Sequence, residues 1–371
     1  MERGRTIAII DVGSNSVRLL VARALSQFAF EVMDEERFDA RIGEGQDFGQ
    51  ITPGGMERGL HALRIMAQVA RSHQPAAIVA AGTEALRRAA NASEFVERVH
   101  EATGLSIRIL SGYEEAYYGF VGVANSTAIH DGYLLDIGGG SLELMRVADR
   151  GLAHVQSAPL GAIYSRERYL RSDPATSREI RALRKSARQQ LVVQDPHPVL
   201  YASGGAVRNL ARMIRLQRNY PLRRLHGLEI SRREMHRLAV RLANASTEER
   251  RKMPGIGSNR ADILHASAIV IDEVMELVNA ESLTVAGQGL REGLLWQELR
   301  DDGALITDVR TASVRGLARA NGVDEVASEP VVQAAATLFA ATAAVHKLGP
   351  PELELLLHGA RLAGIGMHID Y

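Results

Sequence analysis

Two short segments of the sequence place an acidic residue just before a turn of glycine and serine. Asp11 leads into the residues VGSNS, and Asp136 leads into IGGGS. The backbone N–H groups of such turns can cradle phosphate oxygens. A carboxylate at the end of a strand can bind Mg²⁺, a cation that favours carboxylate, water and phosphate oxygens. One such turn alone is also typical of an ordinary hairpin, whereas two matched copies predict a phosphate site with a divalent metal.

The two segments align without a gap, so that the positions of the acid, the glycine and the serine all coincide. The matched pairs are Asp11 with Asp136, Gly13 with Gly138, Ser16 with Ser141 and Leu19 with Leu144. A repeated supersecondary unit indicates two similar lobes. Two such turns, one from each lobe, would hold a phosphate chain from both sides.

A third group of polar residues, Ser111 to Ala116 (SGYEEA), contains two adjacent glutamates at the predicted start of a helix. Hydrolysis of a phosphoanhydride needs a positioned water and a base that accepts its proton. Neighbouring residues on a helix point in different directions, so at most one of Glu114 and Glu115 enters a cleft. Alternatively, both complement the positive end of the helix dipole. Composition alone leaves the two interpretations open.

Arginines follow two further glycine turns. Arg87 and Arg88 come after Gly82-Thr83, and Arg208 comes after the run of serine and glycine at 203–205. The planar guanidinium suits phosphate oxygens, and turns at helix N-termini bind anions. A lone arginine on a helix is usually solvated, so it is the strand, turn and helix context that favours phosphate binding here.

The elements that would position these residues are strands alternating with helices, which indicates an α/β fold. Among the predicted elements are strands at 6–11, 17–22 and 28–37, helices at 53–72, 84–92 and 93–103, and a longer helix at 259–278. A polar stretch at 125–131 divides the chain. We therefore expect one lobe in residues 1–125, a second in 126–300 and a helical region in 301–371, broken near residues 349–351.

Composition limits the class of protein. The formal net charge is zero and there is no cysteine, so neither a nucleic-acid protein nor a disulfide scaffold is expected. The stretch 208–224 is locally basic and is interpreted as a solvated helix face and loop. No apolar run reaches the ~18 residues of a transmembrane helix, and the N-terminus lacks the apolar core of a signal peptide. A cytoplasmic protein without nucleic-acid or membrane partners is expected.

Taken together, these segments resemble the exopolyphosphatase and guanosine pentaphosphate phosphatase (Ppx/GppA) family, within the acetate kinase, actin and sugar kinase superfamily. The resemblance covers about residues 5–300. It is carried by IIDVGSNSVRLLVA, GTEALRRAAN, ILSGYEEAYYGFVGV, LLDIGGGSLEL, ASGGAVRNLA and GLREGLL. It implies two actin-like, ribonuclease H-like lobes followed by a short helical region.

The resemblance also assigns roles to residues of this sequence. It implies that Glu115 is the catalytic base and that Asp11, Asp136 and Glu143 bind the metal. The phosphate-binding residues that it implies are Gly13, Ser14, Asn15, Ser16, Arg87, Gly138, Gly139, Gly140, Ser141, Gly204, Gly205 and Arg208. The implied cofactor is Mg²⁺ or another divalent cation, with a monovalent cation as a further candidate.

The sequence departs from the family pattern at two places. Leu142 stands where a threonine is usual, which removes one hydroxyl from the second turn. Residues 353–364 resemble the start of a helical HD phosphohydrolase region, but Ala363 and Gly364 replace the expected His-Asp or His-Glu pair. We therefore expect an incomplete HD-like region with no catalysis of its own.

The leading hypothesis is an exopolyphosphatase that releases terminal phosphate from inorganic polyphosphate. A guanosine pentaphosphate (pppGpp) phosphohydrolase would use the same residues. A non-catalytic sensor of guanosine polyphosphates is disfavoured because no carboxylate of the motif is missing, and an ATP-dependent kinase is disfavoured by the SGYEEA segment. A homodimer is a candidate assembly that no segment of the sequence identifies.

Overall fold

A computed structural model describes residues 4–26, 29–45, 49–300, 305–323 and 325–368. The first sheet contains β1 (Thr6–Val12), β2 (Val17–Ser26), β3 (Ala29–Phe38), β4 (Ala77–Gly82) and β5 (Ile107–Ile109), in the order β3-β2-β1-β4-β5. Four helices accompany it: α1 (Pro53–Ser72), α2 (Glu84–Arg88), α3 (Ala92–Thr103) and α4 (Gly112–Ala124). The three strands β1 to β3 form an antiparallel meander, and β4 and β5 continue the sheet in parallel with β1.

The second sheet repeats this plan. Its strands are β6 (Gly132–Ile137), β7 (Leu142–Ala148), β8 (Gly151–Ala158), β9 (Val199–Ser203), β10 (Glu229–Ser231) and β11 (Ser282–Val285), in the order β10-β11-β9-β6-β7-β8. Its helices are α5 (Ala162–Tyr169), α6 (Ser177–Gln190), α7 (Gly205–Gln217), α8 (Arg232–Ala243), α9 (Thr247–Arg251), α10 (Leu264–Leu277) and α11 (Leu290–Leu299). The run β8-β7-β6-β9-β11 matches β3-β2-β1-β4-β5, which confirms the predicted two-lobed, actin-like α/β fold.

The central strand of each lobe is mainly apolar before its aspartate, because both faces of the sheet are covered. Ile7, Ile9 and Ile10 of β1 are fully buried, and so are Leu134 and Leu135 of β6. Helices pack on both faces of each sheet. Asp11 lies near the end of β1 and Asp136 lies near the end of β6, so each aspartate stands at the edge of its sheet, just before the glycine and serine turn.

The two lobes meet where α4 crosses α11. A Cβ atom on Gly122 would overlap the carbonyl of Gly289, and one on Gly293 would overlap the carbonyl of Tyr118. The two helices can approach this closely only because these positions carry no side chain. Leu294 and Leu295 of α11 also pack in a cluster with residues of the first sheet. The predicted boundary at residue 300 counts α11 with the second lobe, although it contacts the first.

The C-terminal region contains α12 (Val309–Ala320), α13 (Glu325–Ala341), α14 (Ala343–His346) and α15 (Pro350–Arg361). Gly349 precedes α15 and Pro350 occupies its first turn, as is usual for a proline that cannot donate a backbone hydrogen bond. Helices 12 to 15 agree with the helical region expected from the sequence. No helix in the described ranges is long and apolar enough to cross a membrane.

Several sequence predictions need correction. The helix predicted for 84–92 ends at Arg88, and α3 begins at Ala92. The helix predicted to begin at Asn259 begins at Leu264, because residues 258–260 form a 3₁₀ turn with a non-helical Asn259. The sequence patterns do not predict β8, α5, β10 or α9. Phe28, predicted to begin the third strand, lies outside the described residues.

Candidate active site

The two predicted phosphate turns have the same backbone geometry. In the first, the N–H of Gly13 donates to the carbonyl of Ser16 over 3.1 Å; in the second, Gly138 donates to Ser141 over 3.0 Å. Each turn joins the central strand of its lobe to the antiparallel neighbour. The repeat found in the sequence is therefore a repeat of hydrogen-bonded structure.

A cavity of about 100 Å³ lies between the two turns. Of the residues assigned from the sequence, it is lined by Asp11, Gly13, Ser14, Asn15, Ser16, Glu115, Asp136, Gly138, Gly139, Gly140, Ser141, Glu143, Gly204, Gly205 and Arg208. Only Arg87 of the assigned residues is not part of the lining. The structure thus brings residues from sequence positions 11 to 208 to one site.

The turns themselves are in contact across the cavity. A Cβ atom on Gly139 would lie 2.9 Å from the backbone nitrogen of Asn15, and one on Gly140 would lie 2.7 Å from the hydroxyl of Ser14. Glycine at these positions therefore lets the second turn approach the first. Asn15 is 5% exposed, and neither polar atom of its side chain has a hydrogen-bond partner. The side chain of Asn15 therefore retains a donor and an acceptor that a water molecule or a ligand in the cavity could use.

The geometry separates the two adjacent glutamates that the sequence alone left open. Glu114 closes a capping box at the start of α4, where its carboxylate accepts from the N–H of Ser111 over 2.8 Å. It also pairs with Arg108. Glu115 instead lines the cavity, and its side chain is 11% exposed. The helix-dipole interpretation fits Glu114, and the cleft interpretation fits Glu115.

Arg87 lies behind Glu115. Its Nη1 atom is 2.9 Å from Oε2 of Glu115, and Nη2 is 2.5 Å from Oε2 of Glu84. The same guanidinium donates to the carbonyl of Leu110 over 2.8 Å. Since its donors are used in this way, Arg87 holds the orientation of Glu115 in this structure instead of lining the cavity as a phosphate ligand.

Burial changes the acidity of the carboxylates in the cavity. It raises the pKa of Glu115 to about 7, against the opposing effect of Arg87 and with a further contribution from Asp136 and Asp11. A pKa near neutrality suits a general base. Burial also raises the pKa of Asp11 and that of Asp136.

Glu143 is 2% exposed and accepts a hydrogen bond from the hydroxyl of Ser157 over 2.9 Å. Its pKa is raised well above its usual value by burial and by repulsion from Glu115 and Asp136. Burial and mutual repulsion thus make these carboxylates costly to ionise, and additional positive charge beside them would lower that cost. A divalent cation would supply that charge.

The donor set fits a metal that the protein holds only in part. In the ranges that the structure describes, no three His, Asp or Glu residues are grouped closely enough to form a metal site alone. Mg²⁺ commonly takes one or two protein carboxylates and completes its shell with water and substrate phosphate oxygens. Asp11, Asp136 and Glu143 are the residues that would hold such a cation.

Sequence reasoning missed three arginines of the cavity: Arg18, Arg260 and Arg291. Burial, with repulsion from neighbouring arginines, lowers the pKa of Arg18 and that of Arg260 to about 9. Arg260 is 5% exposed, and its Nε atom has no hydrogen-bond partner. Gly205 provides room beside them, because a Cβ atom there would lie 2.6 Å from Nη2 of Arg18.

One of these arginines could have been found from the sequence. In the alignment of the repeats, Arg18 occupies the position of Glu143, and the structure places Arg18 opposite Asp11 as it places Glu143 opposite Asp136. Arg260 follows an irregular loop with no motif. Among the described residues, Arg18, Arg208 and Arg260 form no ion pair with a carboxylate. These three cations are free to bind an anion.

The rim of the cleft is closed by contacts between the lobes. Arg41 of the first lobe makes a two-pronged ion pair with Asp262 of the second, with distances of 2.6 and 3.0 Å. The N–H of Gly45 donates to Glu167 over 3.1 Å. These contacts join the two lobes at the rim, so opening of the cleft would have to break them.

The repeated sheet order and the facing turns define a two-lobed, actin-like protein with a cavity between its lobes. Residues 20–302 match the Ppx/GppA phosphatase family, and the chain belongs to that family.

Two solved structures illustrate the likeness. An exopolyphosphatase from Cytophaga hutchinsonii is 25% identical with a TM-score of 0.75, over 82% of this chain and 99% of its own. The Aquifex aeolicus member of the family is 26% identical with a TM-score of 0.69, over 81% of this chain and 99% of its own.

Proposed function

We propose that this protein is an exopolyphosphatase that removes the terminal phosphate from inorganic polyphosphate by attack of water. The observation that carries the proposal is the position of Glu115, a buried carboxylate with a pKa near 7, in a cavity between two phosphate turns. Membership of a phosphatase family and the likeness to the Cytophaga exopolyphosphatase support it.

The cavity contains both kinds of charge that a phosphate chain with a bound cation would need. Carboxylates line it together with Arg18, Arg208 and Arg260. The terminal phosphoryl group would lie between the turns, where backbone N–H groups and the side chain of Asn15 donate to its oxygens. The arginines would bind the phosphates that follow, since guanidinium groups pair well with phosphate oxygens.

In the proposed reaction, Glu115 accepts a proton from a water molecule as the water oxygen bonds to the terminal phosphorus. The bond from that phosphorus to the bridging oxygen breaks, and the shortened chain leaves with the electron pair. Arg87 keeps the carboxylate of Glu115 directed at the water. A bound divalent cation would supply positive charge to the phosphoryl oxygens. Most of the rate would come from positioning and electrostatics, as in other phosphoryl transfers.

Guanosine pentaphosphate is the second candidate substrate, because three arginines without ion pairs would also suit its phosphates. A non-catalytic sensor fits less well, since it would have no need of a carboxylate held by Arg87 in the cavity. A cytoplasmic location, Mg²⁺ as the cation, a monovalent cation and a homodimer remain predictions.

The test is phosphate release by the purified chain with Mg²⁺ on long-chain polyphosphate, guanosine pentaphosphate and ATP. We expect rapid release from polyphosphate, with little from ATP. Release mainly from guanosine pentaphosphate would assign that molecule as the substrate and leave the proposed reaction unchanged. Release from none of the three, with tight binding of guanosine polyphosphates, would overturn the proposal in favour of a sensor.

A further inference from the structure

The longest stretch of one-signed charge in this neutral chain begins inside the cavity. From residue 196 to residue 228 there is no aspartate or glutamate. The same stretch carries six arginines: Arg208, Arg212, Arg215, Arg218, Arg223 and Arg224. Such a cluster raises the local concentration of anions at the surface that carries it. Whether the anion attracted in this way would be the substrate depends on where the cluster lies relative to the cavity.

Helix α7 leads from the cavity to the surface. The helix begins at Gly205 in the wall of the cavity, and Arg208 lies in its first turn. Arg212 and Arg215 follow at spacings of four and seven residues, which places them on the same face as Arg208. Arg212 is exposed and Arg215 is half-buried. The face thus carries positive charge from the interior of the cleft outwards.

The loop after α7 places two more arginines near the wall of the cavity where α7 begins. The carbonyl of Gly287 accepts from Arg208 over 3.3 Å, and the N–H of Gly287 donates to His226 in the loop over 2.9 Å. Arg223 and Arg224 precede His226 by three and two residues and are exposed. The loop is therefore fixed beside the wall of the cavity with its arginines at the surface.

One of these arginines, Arg218, is paired with an acid, Glu234. Among the described residues, Arg212, Arg223 and Arg224 have no ion pair. Arg215 donates to the carbonyl of Leu222 over 3.5 Å, and its Nε atom is buried without a partner. The interpretation of this stretch as an ordinary solvated face leaves the absence of acids and the continuity with Arg208 unexplained.

We infer that the outer face of α7 and the loop at 219–228 form a binding track for the part of a polyphosphate chain that extends beyond the cavity. This inference rests on the proposed function and narrows its substrate to long chains. A linear polymer with a charge on every phosphate matches a row of arginines. A short substrate such as tripolyphosphate would be held within the cavity and would not reach the row.

The test compares two charge-matched triple variants. The track variant is Arg212→Gln/Arg223→Gln/Arg224→Gln. The control is Arg178→Gln/Arg181→Gln/Lys185→Gln, which removes the same charge from exposed positions of α6, a helix that packs on α5 and α10. For each variant, kcat and KM are measured on long-chain polyphosphate and on tripolyphosphate, at several salt concentrations.

In the track variant we expect KM for long-chain polyphosphate to rise about tenfold, from the loss of three weak ion contacts. The dependence of that KM on salt should become shallower, because fewer counterions are released on binding. The kcat on either substrate and the KM for tripolyphosphate should stay within about twofold. The α6 control should behave as the wild type. An equal change in KM for both substrates, or no change for either, would overturn the inference that these arginines form a binding track.

A binding measurement separates failure of the track from failure of the proposed function. Fluorescently labelled long-chain polyphosphate is bound to the chain carrying Glu115→Gln, with and without the track substitutions. Weaker binding on loss of the track arginines supports the inference even if no substrate is hydrolysed. Unchanged binding contradicts it. Tighter binding of single-stranded RNA than of polyphosphate, lost with the same arginines, would assign the surface to nucleic acid and overturn the inference.

Discussion

The two lobes contain the same hairpin with opposite charges at one position. In each hairpin a glycine N–H donates to a serine carbonyl, over 3.1 Å in the first lobe and 3.0 Å in the second. In each, the strand before the turn ends with an aspartate. The residue opposite that aspartate is Arg18 in the first lobe and Glu143 in the second.

The difference shows how a repeated scaffold can form an asymmetric site. In the proposed function, the shared backbone supplies two facing sets of N–H donors, which would hold a phosphate chain without distinguishing its two ends. Arg18 then adds a cation that suits the inner phosphates of a chain, and Glu143 adds a carboxylate that suits a metal. The direction in which a phosphate chain binds would therefore be set by Arg18 and Glu143, which occupy matched positions in the two hairpins.

The largest predicted effect of breaking this asymmetry is at Glu143. Glu143→Gln keeps an oxygen that can accept from Ser157 but removes the charge. We expect kcat to fall about a hundredfold or more and the Mg²⁺ concentration for half-maximal rate to rise. Phosphate release measured against Mg²⁺ concentration checks this. The melting temperature should not fall, because a neutral amide is easier to bury than an uncompensated carboxylate. An unchanged Mg²⁺ requirement would remove Glu143 from the metal site.

Substitution of Arg18, the residue of the first lobe that matches Glu143, should weaken substrate binding and leave kcat largely unchanged. Arg18→Gln is expected to raise KM for polyphosphate by about ten- to a hundredfold, the usual cost of a hydrogen bond to a charged group. Steady-state phosphate release provides KM and kcat separately. Arg23→Gln is the matched control, because Arg23 lies on the same strand and pairs with Glu31 at the surface. If both variants raised KM equally, the effect would be one of overall charge.

The pH dependence of kcat/KM should follow the titration of Glu115, the proposed base, which lies in the first lobe. With the pKa of Glu115 raised to about 7, the active, deprotonated form accumulates as the pH rises through 7. We expect kcat/KM to rise about tenfold per unit below pH 7 and to level off above it. Arg87→Gln removes a cation that lowers this pKa, so the rise should move to higher pH. A pH profile that is flat from 5 to 8 would contradict the assignment.

The smallest predicted effect concerns the contact between the lobes. Arg41→Gln removes the ion pair with Asp262, which joins partly exposed side chains and should contribute little to stability. We expect KM to change by less than about fivefold, with faster product release if opening limits turnover. Stopped-flow phosphate release measures this. Arg98→Gln, which breaks an ion pair within the first lobe, should leave the rates unchanged.

Sequence reasoning reached the parts of the site that depend on local pattern. The two hairpins were predicted because strand, acid and glycine turn are contiguous in the chain, and a repeat at matched spacing is visible without a structure. The residues alone left the choice between Glu114 and Glu115 open in the sequence analysis, and only the family resemblance favoured Glu115, although the sequence contains a local signal that decides it. Ser111 and Glu114 have the spacing of a capping box, which assigns Glu114 to the helix terminus and leaves Glu115 for the cleft.

The remaining parts of the site depend on contacts between distant segments. Arg260 reaches the cavity from a loop without a motif, and its role is visible only once the lobes are assembled. Arg87 was expected at the phosphate because it follows a glycine turn, but Glu84 and Glu115 are placed within its reach by folding. Similarly, the sequence shows that residues 208–224 are basic. Only the structure shows that this segment lies beside the cavity, through the contacts that Gly287 makes with Arg208 and His226.

The most direct test of the account compares Glu115→Gln with Glu114→Gln in single-turnover phosphate release and in substrate binding. The account predicts that Glu115→Gln lowers the rate of release by about a hundred- to ten-thousandfold, the usual contribution of a general base, while polyphosphate still binds. Glu114→Gln, which weakens only the cap of α4, should keep a near-normal rate. Near-normal release by Glu115→Gln would contradict the central claim that this carboxylate activates the attacking water.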